Sequence, residues 1–372
     1  MTVLFVIRNL EFGGAETQLV VLAEALRRRG HRIAVATLYP DGTVLGERLE
    51  RAGVARVPLG KRGRLDVAGP LRRFAATLRR IRPDAVYGFL SAGNLLAAST
   101  RVLAPGCAVV WGLRASDVAF GSYGAWDELN FHATRVVAPA AHLLIANSET
   151  GARRHADAGF PGERLRVVPN GIDVDRFRPD ATRRAASRAA WGIGPEETVA
   201  GIVARLDPAK DWPTFVAAAS RFVGASPRRR IAALATGSAR ALADLRERVR
   251  EAGLARSWIE VAPTAAVEHV YAGLDLLVSS SSSEGFPNVV AEAMACGVPA
   301  VVTRVGDSAA LVGDPARVVP AGDAGALAAA MDAAAVPRRA PDTALRDRVV
   351  SRYSIAKLAE RTEALLLEAV GR

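Results

Sequence analysis

The chain contains 372 residues, of which half are hydrophobic and 23% are charged, a balance that excludes a disordered or fibrous protein and allows two domains with separate cores. Only two cysteines are present, so a disulfide framework is not expected, and no apolar run has membrane-spanning length. The apolar stretch at the start is too short for a signal peptide and lacks a basic leader, so we expect a cytoplasmic protein.

The net charge is +11, and arginine carries nearly all of the basic excess, since Lys61, Lys210 and Lys357 are the only lysines. Basic residues crowd the section from Arg27 to Arg82, with few acids among them. Codon bias would explain this pattern, and so would a surface that binds anionic lipid or a phosphate-bearing ligand. Nucleic acid is not expected as a partner, because no binding motif or series of aromatic residues accompanies the charge.

The first half of the chain alternates short apolar runs with helix-like segments. Strands are predicted at 3–7, 32–38, 85–90, 108–113, 142–147 and 164–169, and an amphipathic helix is predicted from about 15 to 29. Mostly apolar runs without alternation are typical of a parallel sheet that helices cover on both faces. The pattern predicts a doubly wound α/β domain over residues 1–172.

The turn-forming segment PNGIDVDRFRPD (169–180) predicts a hinge, after which the same scheme is repeated. Strands are predicted at 198–206, 230–236, 258–263, 274–280 and 298–303, which indicates a second doubly wound domain over 173–351. An amphipathic helix is predicted over 354–372. Two such domains would face a cleft, and ligands of open α/β sheets bind at the carboxyl ends of the strands.

The loop RNLEFGGAE (8–16) follows the first strand and contains Gly13 and Gly14. Backbone N–H groups at the start of the following helix could meet a phosphate, although a tight turn that requires glycine explains the pair equally well. The loop does not match GxGxxG, so a dinucleotide fingerprint is absent.

The loop ARLDPAKDWPTF (204–215) places Arg205 and Lys210 between a predicted strand and a predicted helix. Two cations at a helix N-terminus make a suitable clamp for a diphosphate. The alternative is a solvated loop in which the cations pair with Asp207 and Asp211.

The segment SSSSSEGFPNVVAEAMACGVPAVVT (279–303) combines Glu284 in a predicted loop with Glu292 one turn into a predicted helix. A carboxylate accepts hydrogen bonds from paired sugar hydroxyls, and backbone N–H groups from Gly285 to Asn288 could hold phosphate oxygens. The alternative, an exposed acidic loop and a surface helix, is disfavoured because the residues around Glu292 are small and apolar and are predicted to be buried.

A metal site is not predicted. Asp173 and Asp175 form a D-x-D, but they follow an Asn-Gly turn in the hinge, and the five histidines lack ligand spacing. A G-x-S-x-G motif is absent, and no nucleophilic triad can be assembled.

Together the motifs resemble the retaining, nucleotide-sugar-dependent glycosyltransferases of the family 4 / group 1 type, which have two Rossmann-like domains (the GT-B fold). The matching segments are GGAE (13–16), NSE (147–149), VVPNGID (167–173), ARLDPAKDW (204–212), EGFPNVVAE (284–292) and EAMACGVPAVVT (292–303). The resemblance covers nearly the whole chain. It implies that the last segment, 352–372, packs back on the first domain.

The resemblance also implies a role for each matching residue. Arg205 and Lys210 would hold the donor diphosphate and neutralise the charge of the leaving nucleotide, while Glu284 would contact the donor sugar. Further donor contacts are implied for Gly285, Phe286, Pro287 and Asn288 beside the sugar and phosphates, for Glu292 on the ribose, and for the backbone of Ala262 and Pro263 at the base. Gly13 and Gly14 would lie on the acceptor side near the phosphates.

The first half departs from the family where many members carry a histidine near the sugar. Here the corresponding stretch is WGLRASD (111–117), with Arg114, Ser116 and Asp117 and no histidine. Arg114 would replace the histidine, or catalysis would not depend on that side chain. The segment VGDSAALVGD (305–314) also lacks the glycine-rich, glutamate-bearing loop of many relatives.

The resulting hypothesis is a hexosyltransferase that moves a sugar from a UDP- or GDP-sugar to a glycan or lipid-linked acceptor with retention of configuration and without a metal or other cofactor. It would serve polysaccharide or glycolipid biosynthesis, either in the cytoplasm or as a peripheral protein on the inner face of the membrane. A sugar-nucleotide epimerase or a phosphorylase of the same plan is the alternative. The base, the sugar and the acceptor stay open.

Overall fold

A computed structural model describes residues 1–11, 13–40, 43–63, 65–114, 125–338 and 340–371, without the side chains of 125–129. The chain divides into two compact units. The first unit consists of Met1–Gly171 and Ile355–Arg372, and the second consists of Ile172–Ser354.

The first unit alternates strands and helices in chain order. Its strands are β1 Thr2–Ile7, β2 Arg32–Thr37, β3 Ala55–Pro58, β4 Ala85–Phe89, β5 Ala108–Leu113, β6 Leu143–Ala146 and β7 Leu165–Val167. Its helices before the second unit are α1 Gly14–Arg28, α2 Val44–Arg51, α3 Ala68–Ile81, α4 Leu90–Ala98, α5 Thr100–Leu103, α6 Ala125–Val137 and α7 Glu149–Asp157.

In the described residues these strands form one parallel sheet of seven, in the order β3-β2-β1-β4-β5-β6-β7. The chain starts in the middle of the sheet and winds outward in both directions, which leaves apolar cores on both faces. The last helix of the chain, α16 Ile355–Val370, contributes Leu358 and Leu366 to one of these cores. The sequence patterns did not predict β3, whose short edge strand carries two exposed residues.

The second unit repeats the alternation. Its strands are β8 Thr198–Arg205, β9 Arg229–Thr236, β10 Trp258–Glu260, β11 Leu276–Ser279, β12 Ala300–Thr303 and β13 Val318–Val319. Its helices are α8 Ala181–Ala190, α9 Trp212–Gly224, α10 Ala239–Glu251, α11 Val267–Gly273, α12 Asn288–Ala295, α13 Ser308–Val312, α14 Ala324–Ala334 and α15 Thr343–Tyr353.

The second sheet is also parallel, with the order β10-β9-β8-β11-β12-β13 among the described residues. Two further apolar clusters cover its faces. The predicted fold class, two doubly wound Rossmann-like α/β domains, is therefore confirmed. The two-residue strand β13 was not predicted, since it is too short to give a pattern. Within the described residues, no helix is long and apolar enough to cross a membrane.

Candidate functional site

The loop after β8 is shaped by two aspartates that act as helix caps. The Asp207 carboxylate accepts from the backbone N–H of Ala209 at 2.9 Å and starts a short 3-10 turn over Pro208–Lys210. Asp211 adopts a left-handed conformation with φ of 46° and accepts from Thr214 N–H at 3.2 Å, which starts α9. These caps fix the turn that carries Lys210 at the carboxyl end of β8.

Lys210 forms an ion pair with Glu284, which lies in the loop after β11. Both side chains are largely buried, with 23% of Lys210 and 11% of Glu284 exposed. The hydroxyl of Ser281 donates to the same Glu284 oxygen at 2.8 Å. Two residues that the sequence placed in separate motifs are therefore brought into direct contact, and Glu284 is not exposed as the disfavoured alternative, an exposed acidic loop, would require.

The serine run holds these two loops together. Ser280 donates its hydroxyl hydrogen to the carbonyl of Lys210 at 2.8 Å, and the N–H of Ser282 donates to the carbonyl of Ala209, also at 2.8 Å. Thr303, at the end of β12, donates to the carbonyl of Ser281 at 2.5 Å. Sequence analysis missed this positioning role, because a serine run gives no indication of which carbonyls it meets.

Arg205 is the more exposed of the two predicted cations. Its side chain is 76% exposed and lies 3.6 Å from the Asp207 carboxylate, which is already used as a cap. Its backbone is fixed, since the indole N–H of Trp212 donates to the Arg205 carbonyl at 2.9 Å. A fixed backbone with an exposed guanidinium, held only loosely by Asp207, suits a residue that binds an anion.

The segment that follows Glu284 is closely packed against the loop after β12. The N–H of Asp307 donates to the Gly285 carbonyl at 2.9 Å, and a Cβ on Gly306 would lie 2.3 Å from the Glu284 carbonyl oxygen. With φ of 52°, Gly306 is required both for its conformation and for this approach. Phe286 is buried, with its ring centroid 5.3 Å from that of Tyr353.

The next two residues start α12. Pro287 is buried at the N-cap position and Asn288 is the first helical residue. The helix N-terminus therefore points its first N–H groups toward the loop that carries Glu284.

Glu292 lies on α12 and accepts a hydrogen bond from the hydroxyl of Tyr271 at 2.7 Å. Burial raises the pKa of the Glu292 carboxyl above its usual value, and the hydrogen bond from Tyr271 partly opposes that shift. Burial, reinforced by the Glu292 carboxylate, raises the pKa of Tyr271 well above its usual value, so this hydroxyl stays a donor. Tyr271 was not predicted, since its helix carries no motif.

The remaining predicted residues of the second unit lie after β10. Ala262 and Pro263 are exposed, and the N–H of Val261 before them donates to the Ala233 carbonyl at 2.9 Å. The backbone of this stretch is thus accessible at the same edge of the sheet.

In the first unit, Gly13 is the N-cap of α1 and Gly14 its first residue. A Cβ on Gly13 would come within 2.2 Å of a Glu16 carboxylate oxygen, so the turn has little room for a side chain without movement of Glu16. Because Gly13 has an extended backbone and the Glu16 side chain is flexible, both the tight-turn and the phosphate interpretations stay predictions.

Arg114 follows β5 and is held by neutral groups. Its guanidinium donates to the Asn170 side-chain oxygen at 3.1 Å and to the Tyr87 hydroxyl at 3.2 Å, and it lies 4.7 Å from the centre of the Phe89 ring. Asn170, Tyr87 and Phe89 were not predicted as its partners. Ser116 and Asp117 lie outside the described residues.

The D-x-D of the predicted hinge has a local structural role. The Asp173 carboxylate accepts from the backbone N–H of Arg176 at 3.0 Å, which stabilises a turn. Across the part of the chain that the structure describes, no group of three or more His, Cys, Asp or Glu residues could hold a metal ion.

Two family models match consecutive parts of the sequence. Residues 12–176 match Glycosyltransferase Family 4, and residues 197–335 match Glycosyl transferases group 1. A D-inositol 3-phosphate glycosyltransferase of Segniliparus rotundus is 34% identical over 178 residues, which are 46% of this chain and 39% of that protein. A D-inositol 3-phosphate glycosyltransferase 2 of Catenulispora acidiphila is 33% identical over 48% of this chain and 44% of its own length. The match thus spans less than half the length of these curated relatives.

Solved structures are similar over almost the whole chain. Anabaena Alr3699/HepE, crystallised with UDP, has a TM-score of 0.85 at 20% identity, covering 99% of this chain and 100% of its own. Sucrose-phosphate synthase of Thermosynechococcus elongatus has a TM-score of 0.80 at 19% identity, covering 100% of this chain and 99% of its own. At these identities the likeness is one of fold. Taken with the two family models, it shows that the chain belongs to the family 4 / group 1 glycosyltransferases, which have the GT-B fold.

Proposed function

We propose that the protein transfers a hexose from a nucleotide sugar to a glycan or lipid-linked acceptor with retention of anomeric configuration. The observation that carries the proposal is the contact between Lys210 and Glu284, with Glu292 on the helix that follows. Oppositely charged groups at the carboxyl end of a parallel sheet match the two parts of such a donor, an anionic diphosphate and a polyhydroxylated sugar.

Binding of the donor would replace the ion pair of Lys210 and Glu284 with contacts from each residue to the donor. A diphosphate attracts the Lys210 ammonium and the exposed Arg205 guanidinium, and the two cations neutralise the charge that grows on the leaving nucleotide. Glu284 is then released to accept from a sugar hydroxyl while Ser281 keeps its carboxylate oriented. In this way two cations supply the charge that a divalent ion would otherwise provide, so no metal is required.

The rest of the donor fits the same segment. Glu292 would accept from the ribose hydroxyls, and the backbone N–H groups of Gly285, Phe286 and Asn288 would lie beside the phosphates, with Pro287, which has no N–H, between them. The accessible backbone of Ala262 and Pro263 would read the base. A UDP-sugar is favoured, because Anabaena Alr3699/HepE was crystallised with UDP and with UDP-glucose.

On the first unit, Arg114 would act on the acceptor side in place of a histidine. Among the described residues, this guanidinium contacts an amide oxygen, a phenol and an aromatic face, and this neutral setting suits an anionic group of the acceptor. The names of the curated relatives, which specify an inositol phosphate, support an acceptor that carries a phosphate. A lipid-linked acceptor would bring the enzyme to a membrane surface, a localisation that the basic residues of the first unit favour.

Donor specificity can be tested first, and turnover second. Thermal shift measurements with UDP, GDP, ADP and their hexose conjugates identify the donor, because a ligand that binds the folded state raises the melting temperature. Release of the nucleoside diphosphate with acceptor candidates, followed by NMR of the anomeric proton, then tests transfer and retention. Inversion would contradict the retaining mechanism. Orthophosphate-dependent formation of hexose 1-phosphate, or conversion of the donor into its epimer, would contradict the transferase proposal.

A further inference from the structure

Two groups among the arginines of residues 27–82 differ in structure, those on and beside α2 and those of α3. Those on and beside α2 are neutralised: Arg48 pairs with Glu24 at 2.7 Å, and Arg56 pairs with Glu50 at 2.6 Å. The arginines of α3 are not, since none of them pairs with a described carboxylate.

Helix α3 presents one cationic face. Arg72, Arg79 and Arg80 are exposed, and with the exposed Ala76 their spacing places them on one side of the helix, opposite the buried Phe74. The helix contains no acid at all, and residues 59–82 have Asp66 as their only one.

Apolar side chains project from the loop that leads into this helix. Leu65 is 93% exposed and Val67 is 62% exposed, and Leu71 in the first turn of α3 is exposed as well. Their exposure is notable because large aliphatic side chains in contact with water are unfavourable unless they meet a partner.

Described residues on both sides of this loop are hydrogen-bonded to each other and to α3. The ammonium of Lys61 donates to the Asp66 carbonyl at 2.6 Å, and the N–H of Arg62 donates to the Asp66 carboxylate at 2.9 Å. Arg73 donates to the carbonyl of Gly60 at 2.9 Å, which fastens the loop to α3. A surface that is already ordered loses little conformational entropy when it binds.

We propose that this surface, made of Leu65, Val67 and Leu71 with the exposed arginines of α3 (Arg72, Arg79 and Arg80), docks the protein on an anionic lipid bilayer. The arginines would lie at the level of the lipid phosphates, and the aliphatic residues would enter the boundary between headgroups and acyl chains. Nucleic acid would use the cations but has no use for exposed leucine and valine, and the only aromatic residue of α3, Phe74, is buried. A bilayer therefore explains both the aliphatic residues and the arginines of this surface.

Cosedimentation of the full chain with vesicles tests the proposal. Binding should be weak on phosphatidylcholine alone, rise with the fraction of phosphatidylglycerol and fall with salt. Substituting Arg72, Arg79 and Arg80 together with serine should weaken partitioning about 100-fold, at roughly fivefold for each arginine near the surface. Leu65→Ser with Val67→Ser should weaken partitioning onto vesicles about tenfold. The double variant should also lose the binding that the wild type retains at high salt.

The matched control removes the same charge elsewhere. Arg240, Arg248 and Arg256 are exposed in the second unit, and α10 mixes its arginines with acids, so their triple serine variant should bind vesicles like the wild type. Equal losses in both triple variants would reduce the effect to net charge and overturn the proposal. So would failure to bind anionic vesicles, or preferential binding to duplex RNA or DNA that the α3 variant abolishes.

Thermal melts show that each variant is folded, and donor affinity should be unchanged in all of them. The experiment uses no donor or acceptor. Its failure therefore leaves the transfer reaction intact, and failure of the transfer assay leaves the membrane surface intact.

Discussion

The two ends of the second sheet both carry buried or partly buried ion pairs, yet the pairs are built differently. At the amino end, Asp275 directly precedes β11, and its fully buried carboxylate accepts from Arg184 at 2.5 Å and Arg188 at 3.0 Å. The same carboxylate accepts from the backbone N–H groups of Val199 and Arg338, each at 2.8 Å. Each oxygen of the Asp275 carboxylate therefore accepts two hydrogen bonds from protein donors.

At the carboxyl end, Glu284 has only Lys210 and Ser281 around its carboxylate among the contacts described above, and both charged side chains keep some exposure. The difference teaches that an ion pair by itself does not mark a functional site. A saturated ion pair, whose carboxylate has all of its hydrogen bonds from protein donors, stabilises the fold. A partly exposed ion pair with few protein partners can instead exchange those partners for a ligand.

Removing the Asp275 carboxylate tests the ion pair at the amino end of the sheet and should give the largest loss of stability. Asp275→Ala leaves two guanidinium groups without their counter-charge, so we expect the free energy of unfolding to fall by about 3–5 kcal/mol. Arg338 adds to the effect, because burial already lowers its pKa to about 10. Urea denaturation followed by circular dichroism measures the loss.

The control for Asp275 is an exposed pair in the same unit. Glu260 pairs with Arg246 at 2.6 Å, with 44% of the Glu260 side chain and 59% of the Arg246 side chain exposed, so Glu260→Ala should lower the free energy of unfolding by only about 0–1 kcal/mol. Similar losses for the two variants would contradict the distinction between saturated and exposed pairs.

Lys210→Ala tests the ion pair at the carboxyl end of the sheet. Losing a positioned cation that stabilises the leaving diphosphate should reduce kcat by roughly 100- to 1000-fold, or about 2.7–4 kcal/mol. Stability should change far less than in Asp275→Ala, because the Glu284 carboxylate is close enough to solvent to be hydrated. Steady-state kinetics and a thermal melt of the same sample separate the two effects.

Lys357→Ala is the matched lysine control, since Lys357 lies on α16 and pairs with Glu360 at 2.8 Å on the surface. Its kcat should equal that of the wild type. Wild-type kinetics in Lys210→Ala would exclude the diphosphate role.

Arg205 should contribute to binding more than to stability. Because its side chain is 76% exposed, Arg205→Ala should leave the melting temperature unchanged and weaken binding of a nucleoside diphosphate by about 1.5–3 kcal/mol. Arg205→Lys should retain part of the affinity, as the point charge is kept and the bidentate fork is lost. Isothermal titration calorimetry measures both, and Arg240→Ala, an exposed arginine on α10, should titrate like the wild type.

The strands could be predicted wherever they were long and apolar, as β1 and β8 show, whereas β3 and β13 gave no pattern because they are short edge strands. Lys210 and Glu284 could be singled out from their motifs. Their contact could not, because it depends on which strand ends meet, and β8 and β11 are neighbours only after the crossover. Tyr271 and Asp275 were missed for the same reason, since a partner distant in sequence leaves no local trace.

The smallest expected effect, on Glu292, separates binding from stability by their opposite pH dependence. Only the ionised carboxylate is a strong acceptor for ribose hydroxyls, so affinity for the nucleoside should fall as pH drops through the raised pKa of Glu292. Stability should move the other way. A carboxyl whose pKa is raised by folding favours its protonated form in the folded state, so its contribution is greatest below the unfolded pKa and is lost as pH rises through the folded one.

Glu292→Gln should remove both pH dependences and weaken nucleoside binding by about 1 kcal/mol, and Tyr271→Phe should keep the carboxylate while raising the pH at which affinity is lost. Calorimetry with a nucleoside that lacks phosphate avoids the titration of the phosphate itself. If the affinity of Glu292→Gln keeps the wild-type pH profile, the ribose contact belongs to another residue, and the buried pair of Glu292 and Tyr271 joins Asp275 as a structural feature of the second unit.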